Sequence, residues 1–189
     1  IESDLESINL MIQSLQEVGL KDITLSLGHA GFTELILSLF KDLDGSKFSQ
    51  LEEALIKKSK SDIANIISSD NKNLPFIMDL CDMYGEEEII EEAKNTYKDL
   101  GNKAISYLDH LNKIVKALNF DQSVKIHIDI GEVQGFKYHN GIVFSAYSGS
   151  AGYALAKGGR YDGLRKTEDE DRPAIGFDLD LIAVSNVQE

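Results

Sequence analysis

The sequence predicts an α+β fold: one antiparallel sheet flanked by helices, with a helical insertion between its two sheet-forming parts. Three observations predict it. Residues 3–18 carry apolar side chains at helical spacing and lead directly into an alternating segment. Residues 46–118 show no strand-like alternation, only short amphipathic runs. Beyond Phe120 the apolar period changes to two, in successive short segments with short connections, as antiparallel strands require.

Taken in order, Leu5, Ile8, Ile12, Leu15 and Val18 form the first helical stripe, and Gly19 ends it. In "DITLSLGH", Ile23, Leu25 and Leu27 alternate with Thr24 and Ser26, a half-buried strand. A short helix over about residues 32–42 closes this part at "DLDGS". In the middle region "FSQLEEALIKK" places Ser49 three residues before Glu52, a capping-box spacing. "SDIANIIS", "LPFIMDLCDMY" and "EEEIIEEAKNTYKDL" continue the helical pattern, and the charge run Glu86–Glu92 reads as a solvated helix face. A longer helix over 101–118 carries Ala104, Tyr107, Leu108, Leu111, Ile114, Val115 and Leu118 on one face. Strands are then expected near 124–130, 141–148, 153–158 and 173–177, joining the one at 22–28. The expected organisation is a first part at 1–45, a helical insertion at 46–118 and a second part at 119–189.

Composition narrows the function. A hydrophobic share of 42% over 189 residues suffices for a buried core. No apolar run approaches the ~18 residues that span a bilayer. The acidic, helix-like start resembles neither a secretory nor a mitochondrial leader, and the lone Cys81 permits no internal disulfide, so a cytoplasmic location is expected. Cys81 lies in an apolar stretch, where a buried inert thiol is expected. The net charge of −13 argues against general nucleic-acid binding, although a local phosphate site remains compatible with it. With no initiator Met and a start already inside a helical pattern, the chain reads as part of a longer protein.

Little in the sequence resembles a catalytic machine. It has no G-x-S-x-G, no P-loop and no G-x-G-x-x-G between strand and helix, so neither a catalytic residue nor a cofactor is expected. His127 falls on the polar side of its strand, His29 and His110 stand alone, and no metal site is expected. Asp178 is expected to cap the last helix, and "TEDEDRP" to form a solvated loop. Two segments stand apart. "GFKYHNGIVFSAY" brings Tyr138 and His139 to a strand start, and "ALAKGGRYDGL" sets Arg160, Tyr161 and Asp162 just beyond Gly158 and Gly159. As neighbouring strands they would converge aromatic, imidazole, guanidinium and carboxylate groups over bare backbone, a pocket for a small polar ligand such as an amino acid. A structural glycine turn with Arg160 and Asp162 paired locally accounts for the same residues.

"YHNGIVFSAY", "ALAKGGRYDGL" and "RPAIGFDLDL", in that order, resemble the class II catalytic domain of histidyl-tRNA synthetase. They are still more similar to its paralogue, the ATP phosphoribosyltransferase regulatory subunit, and "LQEVGLKDITLSLGHAGF" and the helical middle extend the resemblance over essentially the whole chain. Motif 1 and most of motif 2 of that domain are absent. The resemblance implies that "GGRYDGL" runs along a histidine pocket, with Tyr138, His139, Arg160, Tyr161 and Asp162 as contacts and Gly158 and Gly159 permitting backbone approach. Two arginines of the synthetase are replaced: Gln134 stands for the one in R-G-L-D-Y-Y, and Ala183 for the one in G-L-E-R. Without guanidinium groups to stabilise phosphate charge, adenylate formation is not expected. The implied role is a non-catalytic regulatory subunit in a hetero-oligomer with short-form catalytic ATP phosphoribosyltransferase, self-associating in full length, with histidine as feedback effector. A divergent histidyl-tRNA synthetase and a synthetase-like amino-acid or tRNA sensor are the alternatives.

Overall fold

The computed structural model describes residues 1–133, 139–149, 151–162, 166–167, 170–171 and 173–187. Helix α1 (Glu2–Glu17) leads into β1 (Ile23–His29) and α2 (Ala30–Ser38). The middle contains α3 (Gly45–Ile56), α4 (Lys60–Ile66), α5 (Leu74–Leu80), a two-residue strand β2 (Tyr84–Gly85), α6 (Glu88–Thr96) and α7 (Asn102–Ala117). β3 (Val124–Asp129), β4 (Ile142–Ser148), β5 (Ala156–Arg160), β6 (Lys166–Thr167), β7 (Glu170–Asp171), β8 (Ile175–Leu179) and α8 (Leu181–Val187) complete the chain.

Six strands form one sheet in the order β2-β3-β1-β4-β5-β8. It is mixed. β1 and β3 run parallel, Ile23 opposite Val124 and Leu27 opposite Ile128, while the other pairs are antiparallel. Alternation within each strand carries no information on direction, which is why the sequence pattern pointed to an antiparallel sheet throughout. Direction follows from the connection: the whole helical middle separates β1 from β3, ample for the crossover that a parallel pair needs, whereas β4 and β5 are joined by a short loop. β2, inside the region expected to be wholly helical, adds to the edge at β3 through Tyr84 and Gly85.

Period-two alternation gives the sheet two unlike faces. Ile23, Leu25 and Leu27 of β1 are buried on the face that α7 covers, and α1, with Ile8, Met11, Ile12 and Leu15 buried, packs along β4, β5 and β8 on that same face. Thr24, Ser26 and Gly28 point the other way, in register with Tyr147, Ser145 and Val143 of β4.

Several local signals resolved differently from the sequence reading. α3 starts four residues before Ser49, because Asp44 caps it, its carboxylate accepting the Ser46 and Lys47 N–H groups at 3.1 and 3.0 Å. Ser49 and Glu52 therefore lie inside the helix and form no capping box. Asp180, not Asp178, caps α8, accepting the Ala183 N–H at 2.9 Å; Asp178 is still within β8, paired opposite Lys157. Part of "TEDEDRP" forms the short β6–β7 ladder. Cys81 is buried, and burial pushes its thiol above the usual range, consistent with inertness. Glu86, Glu87, Glu88, Glu91 and Glu92 are exposed while Ile90 and Ala93 are buried, the solvated face that the charge run suggested. Among the described residues no helix is long and apolar enough to cross a membrane.

Candidate functional site

Register places Gly28, Val143, Gly159 and Gly176 side by side across β1, β4, β5 and β8, on the face opposite α1 and α7. Three of these four positions carry no side chain, but the space over Gly28 is filled by the Asp129 carbonyl and the Glu132 side chain, each 2.7 Å from where its Cβ would lie, which leaves Gly159 and Gly176 as the bare stretch. Two half-buried rings stand on it. A Cβ at Gly159 would lie 2.9 Å from Cδ2 of His139 and 2.9 Å from the Ile142 carbonyl oxygen, and one at Gly176 would lie 3.5 Å from the Tyr161 hydroxyl. The two rings are 6.0 Å apart. Burial lowers the pKa of His139, favouring the neutral imidazole, which can donate from one nitrogen and accept on the other.

The adjacent glycine has a different neighbour. A Cβ at Gly158 would lie 2.5 Å from the Phe144 ring and 2.6 Å from the Gly176 carbonyl oxygen, on the helix-covered face. Gly158 is bare to admit a core phenylalanine, not a ligand, contrary to the expectation that both glycines serve backbone approach. Tyr138 and Gln134 lie outside the described residues.

Arg160, one residue on from Gly159, also points into the helix-covered face. Its Nε donates to Asp4 Oδ1 of α1 at 2.8 Å and its Nη1 to Asp162 Oδ1 at 3.3 Å. Asp4 is fully buried and Arg160 only 16% exposed. Burial by itself would raise the Asp4 carboxyl, but the neighbouring His110 and the Arg160 guanidinium outweigh it and hold the group well below the usual carboxylate range. His110 Nε2 lies 3.7 Å from Asp4, and its Nδ1 lies 3.3 Å from Nε2 of His29, whose ring sits 4.6 Å from that of Tyr107. Burial, reinforced by repulsion from His110, lowers the His29 pKa to about 4. His29 and His110, which the sequence left standing alone, are thus partners within one partly buried network.

Asp162 is engaged structurally as well. Its carboxylate also accepts the Ala174 N–H at 3.1 Å, and its backbone exchanges two hydrogen bonds with the Asn140 side chain at 2.8 and 3.1 Å. Of the residues expected to surround a ligand, the structure brings His139 and Tyr161 together on the open face with Gly159. It sends Arg160 to the opposite face and commits Asp162 to the turn after β5.

From His139 and Val143 a cleft of about 700 Å³ extends under α2 and α3, with Thr33, Glu34, Phe48 and Glu132 among its walls. None of these four was legible as a site residue, since the crossover that assembles them is a tertiary event. Asp4 did leave a signal: it shares a stripe with Ile8, Met11, Ile12 and Leu15, and a carboxylate on an apolar face requires a partner. No group of three or more His, Cys, Asp or Glu side chains suited to a metal occurs among the described residues.

A mixed sheet with helices on one face and an open polar face on the other is the architecture of the class II aminoacyl-tRNA synthetase catalytic domain. The histidyl-tRNA synthetase of Nostoc sp. PCC 7120 matches it with a TM-score of 0.77 at 15% identity, covering 98% of this chain and 46% of that one. A Bacillus halodurans structure described as an ATP phosphoribosyltransferase regulatory subunit/histidyl-tRNA synthetase matches with a TM-score of 0.79 at 25% identity, covering 97% of this chain and 49% of that one. The histidyl-tRNA synthetase family model matches residues 1–184, and the chain belongs to that family. Two curated relatives carry the name ATP phosphoribosyltransferase regulatory subunit. That of Hydrogenovibrio crunogenus is 31% identical over 188 residues, 96% of this chain and 47% of its own length. That of Thermoanaerobacter pseudethanolicus is 34% identical over 185 residues, 95% of this chain and 48% of its own. The chain spans about half the length of these curated relatives.

Proposed function

We propose that this chain is the synthetase-like part of a non-catalytic regulatory subunit of ATP phosphoribosyltransferase. In this reading it activates a short-form catalytic subunit, which joins ATP to phosphoribosyl pyrophosphate, and conveys feedback inhibition by histidine. The observation that carries the reading is the similarity, across nearly its whole length, to relatives bearing that name.

The site supports it. Adenylate chemistry in the synthetase fold depends on guanidinium groups over the open face to hold the phosphate charge. Arg160 is the only arginine among the described residues, and it is bound to Asp4 on the other side of the sheet. Ala183, where the resemblance places a synthetase arginine, is a buried alanine in α8. What remains suits recognition without reaction: bare backbone at Gly159 and Gly176, with His139 and Tyr161 standing on it. Histidine would bind there, with Tyr138 completing the pocket, while Arg160 and Asp162 hold β5 in place. Feedback requires only that histidine bind one state of the complex better than another, a coupling of about 1–3 kcal/mol in typical allosteric proteins. The subunit acts in the cytoplasm, and the full-length protein self-associates.

Co-purification of full-length protein with a short-form catalytic subunit, with turnover assayed with and without histidine, tests the reading. The reading fails if the two do not associate, or if histidine leaves turnover unchanged.

A further inference from the structure

The open face carries a second concavity nearer the β3 edge, a pocket of about 220 Å³ between β3, β1, β4 and the end of α3. Its chemistry is built around one ammonium group. Lys58, just beyond α3, has a left-handed backbone (φ 51°), uncommon for a residue other than glycine. That turn delivers its Nζ to Asp129 Oδ1 at 2.7 Å, and the same oxygen accepts the Gly131 N–H at 2.9 Å. A Cβ on Gly131 would lie 2.7 Å from Nζ, so the glycine clears the space that the ammonium occupies.

Around this pair the lining offers donors on one side and acceptors on the other. Lys58 has two further N–H groups, and the Ser26 and Tyr147 hydroxyls line the same pocket. Burial, with the nearby Glu132 and Asp129 charges, pushes the Tyr147 phenol upward, so it remains a donor. Asp129 and Glu132 supply carboxylate oxygens. The described lining thus sets the two carboxylates of Asp129 and Glu132 beside the single ammonium of Lys58. The volume lies below the ~300–1,000 Å³ typical of sites for drug-sized ligands.

We propose that this pocket binds an α-amino-acid zwitterion, its carboxylate toward Lys58 and the hydroxyls and its ammonium toward Asp129 and Glu132. Two carboxylates in the lining disfavour a ligand with an acidic side chain. The pocket adjoins the cleft at His139, sharing Glu132 and Val133 with it, but is a separate site. The proposal does not rest on the histidine-feedback reading.

Calorimetric titration of the full-length protein with alanine, lysine and glutamate tests it, in wild type and in Gly159→Val, Ser26→Leu and Lys58→Met. Gly159→Val obstructs the strip beneath His139. Ser26→Leu fills the second pocket, and Lys58→Met, at a partly exposed position, removes its cation should Ser26→Leu fail to fold. Alanine or lysine is expected to bind, with glutamate weaker by about tenfold or more. Binding should persist in Gly159→Val and weaken by about tenfold or more in each folded pocket variant, as expected for losing a charge-assisted hydrogen bond. No binding of any of the three at millimolar concentration, or unchanged affinity in the folded pocket variants, overturns the proposal. Loss in Gly159→Val alone also overturns it, assigning the binding to the neighbouring cleft.

Discussion

Replacing Asp4 with leucine would leave the Arg160 guanidinium facing α1 without the carboxylate it now meets at 2.8 Å. Asp4 is fully buried, so the loss is not compensated by solvent at that point. Removing one partner of a buried ion pair costs about 3–5 kcal/mol. Arg160 is 16% exposed and keeps Asp162 at 3.3 Å, which places the expectation near the lower end, about 3 kcal/mol. For 189 residues that corresponds to a fall in melting temperature of about 6–12 °C, and the same free energy gives a smaller fall in a longer chain. Arg160→Met should destabilise for the converse reason, by leaving the buried Asp4 carboxylate with His110 but without its guanidinium partner. The double variant, with both charges replaced by apolar groups, should recover most of the loss, since apolar replacements of buried pairs are often near neutral. Thermal or urea unfolding of the four full-length proteins gives the coupling directly. An Asp4→Leu protein within about 0.5 kcal/mol of wild type, the scatter of ordinary surface substitutions, would refute the structural role assigned to Arg160. So would a double variant no more stable than the sum of the singles allows.

Further expectations follow from the same geometry. Gly158→Ala should cost about 1–3 kcal/mol by overpacking against Phe144, leaving histidine sensitivity of the surviving complex intact. Gly159→Ala meets the Ile142 carbonyl as well as the His139 ring, so it should lower the melting temperature and, by displacing that ring, also weaken histidine inhibition of the surviving complex, measured as a shift in the inhibition curve. Because the His29 pKa is lowered from 6.5 to about 4, its neutral form is the one compatible with folding. Its contribution is therefore complete above pH 6.5 and declines as pH falls toward 4, by about 3 kcal/mol in all, and His29→Phe should flatten melting temperature against pH in that window. Asp4 does not obscure this, because its lowered pKa confines its own loss to stronger acid. Full-length protein should show no histidine-dependent ATP–pyrophosphate exchange above a no-enzyme blank.

The legible parts of this structure are those governed by local periodicity. Ile23, Leu25 and Leu27 announced β1 and its buried face, and the Leu108 to Val115 stripe announced α7. Strand direction was not legible, since the parallel pairing of Ile23 with Val124 depends on how a long connection crosses the sheet. The site was legible by half. "GGRYDGL" marked the right strand, but period two already sends Gly158 and Arg160 to one face and Gly159 and Tyr161 to the other. Reading the triplet as a unit merged a ligand-facing set with a core-facing one. The His29–His110–Asp4 network lay beyond local pattern because its members come from β1, α7 and α1 and meet only on packing.

Turnover of a short-form catalytic ATP phosphoribosyltransferase, measured alone, with the full-length protein, and with that protein plus histidine, tests the central claim most directly. The account predicts that adding the protein raises turnover, that histidine lowers it again, and that Gly159→Ala shifts the histidine curve to higher concentration. Turnover indifferent to the protein, or inhibition by histidine that is identical with and without it, would contradict the account.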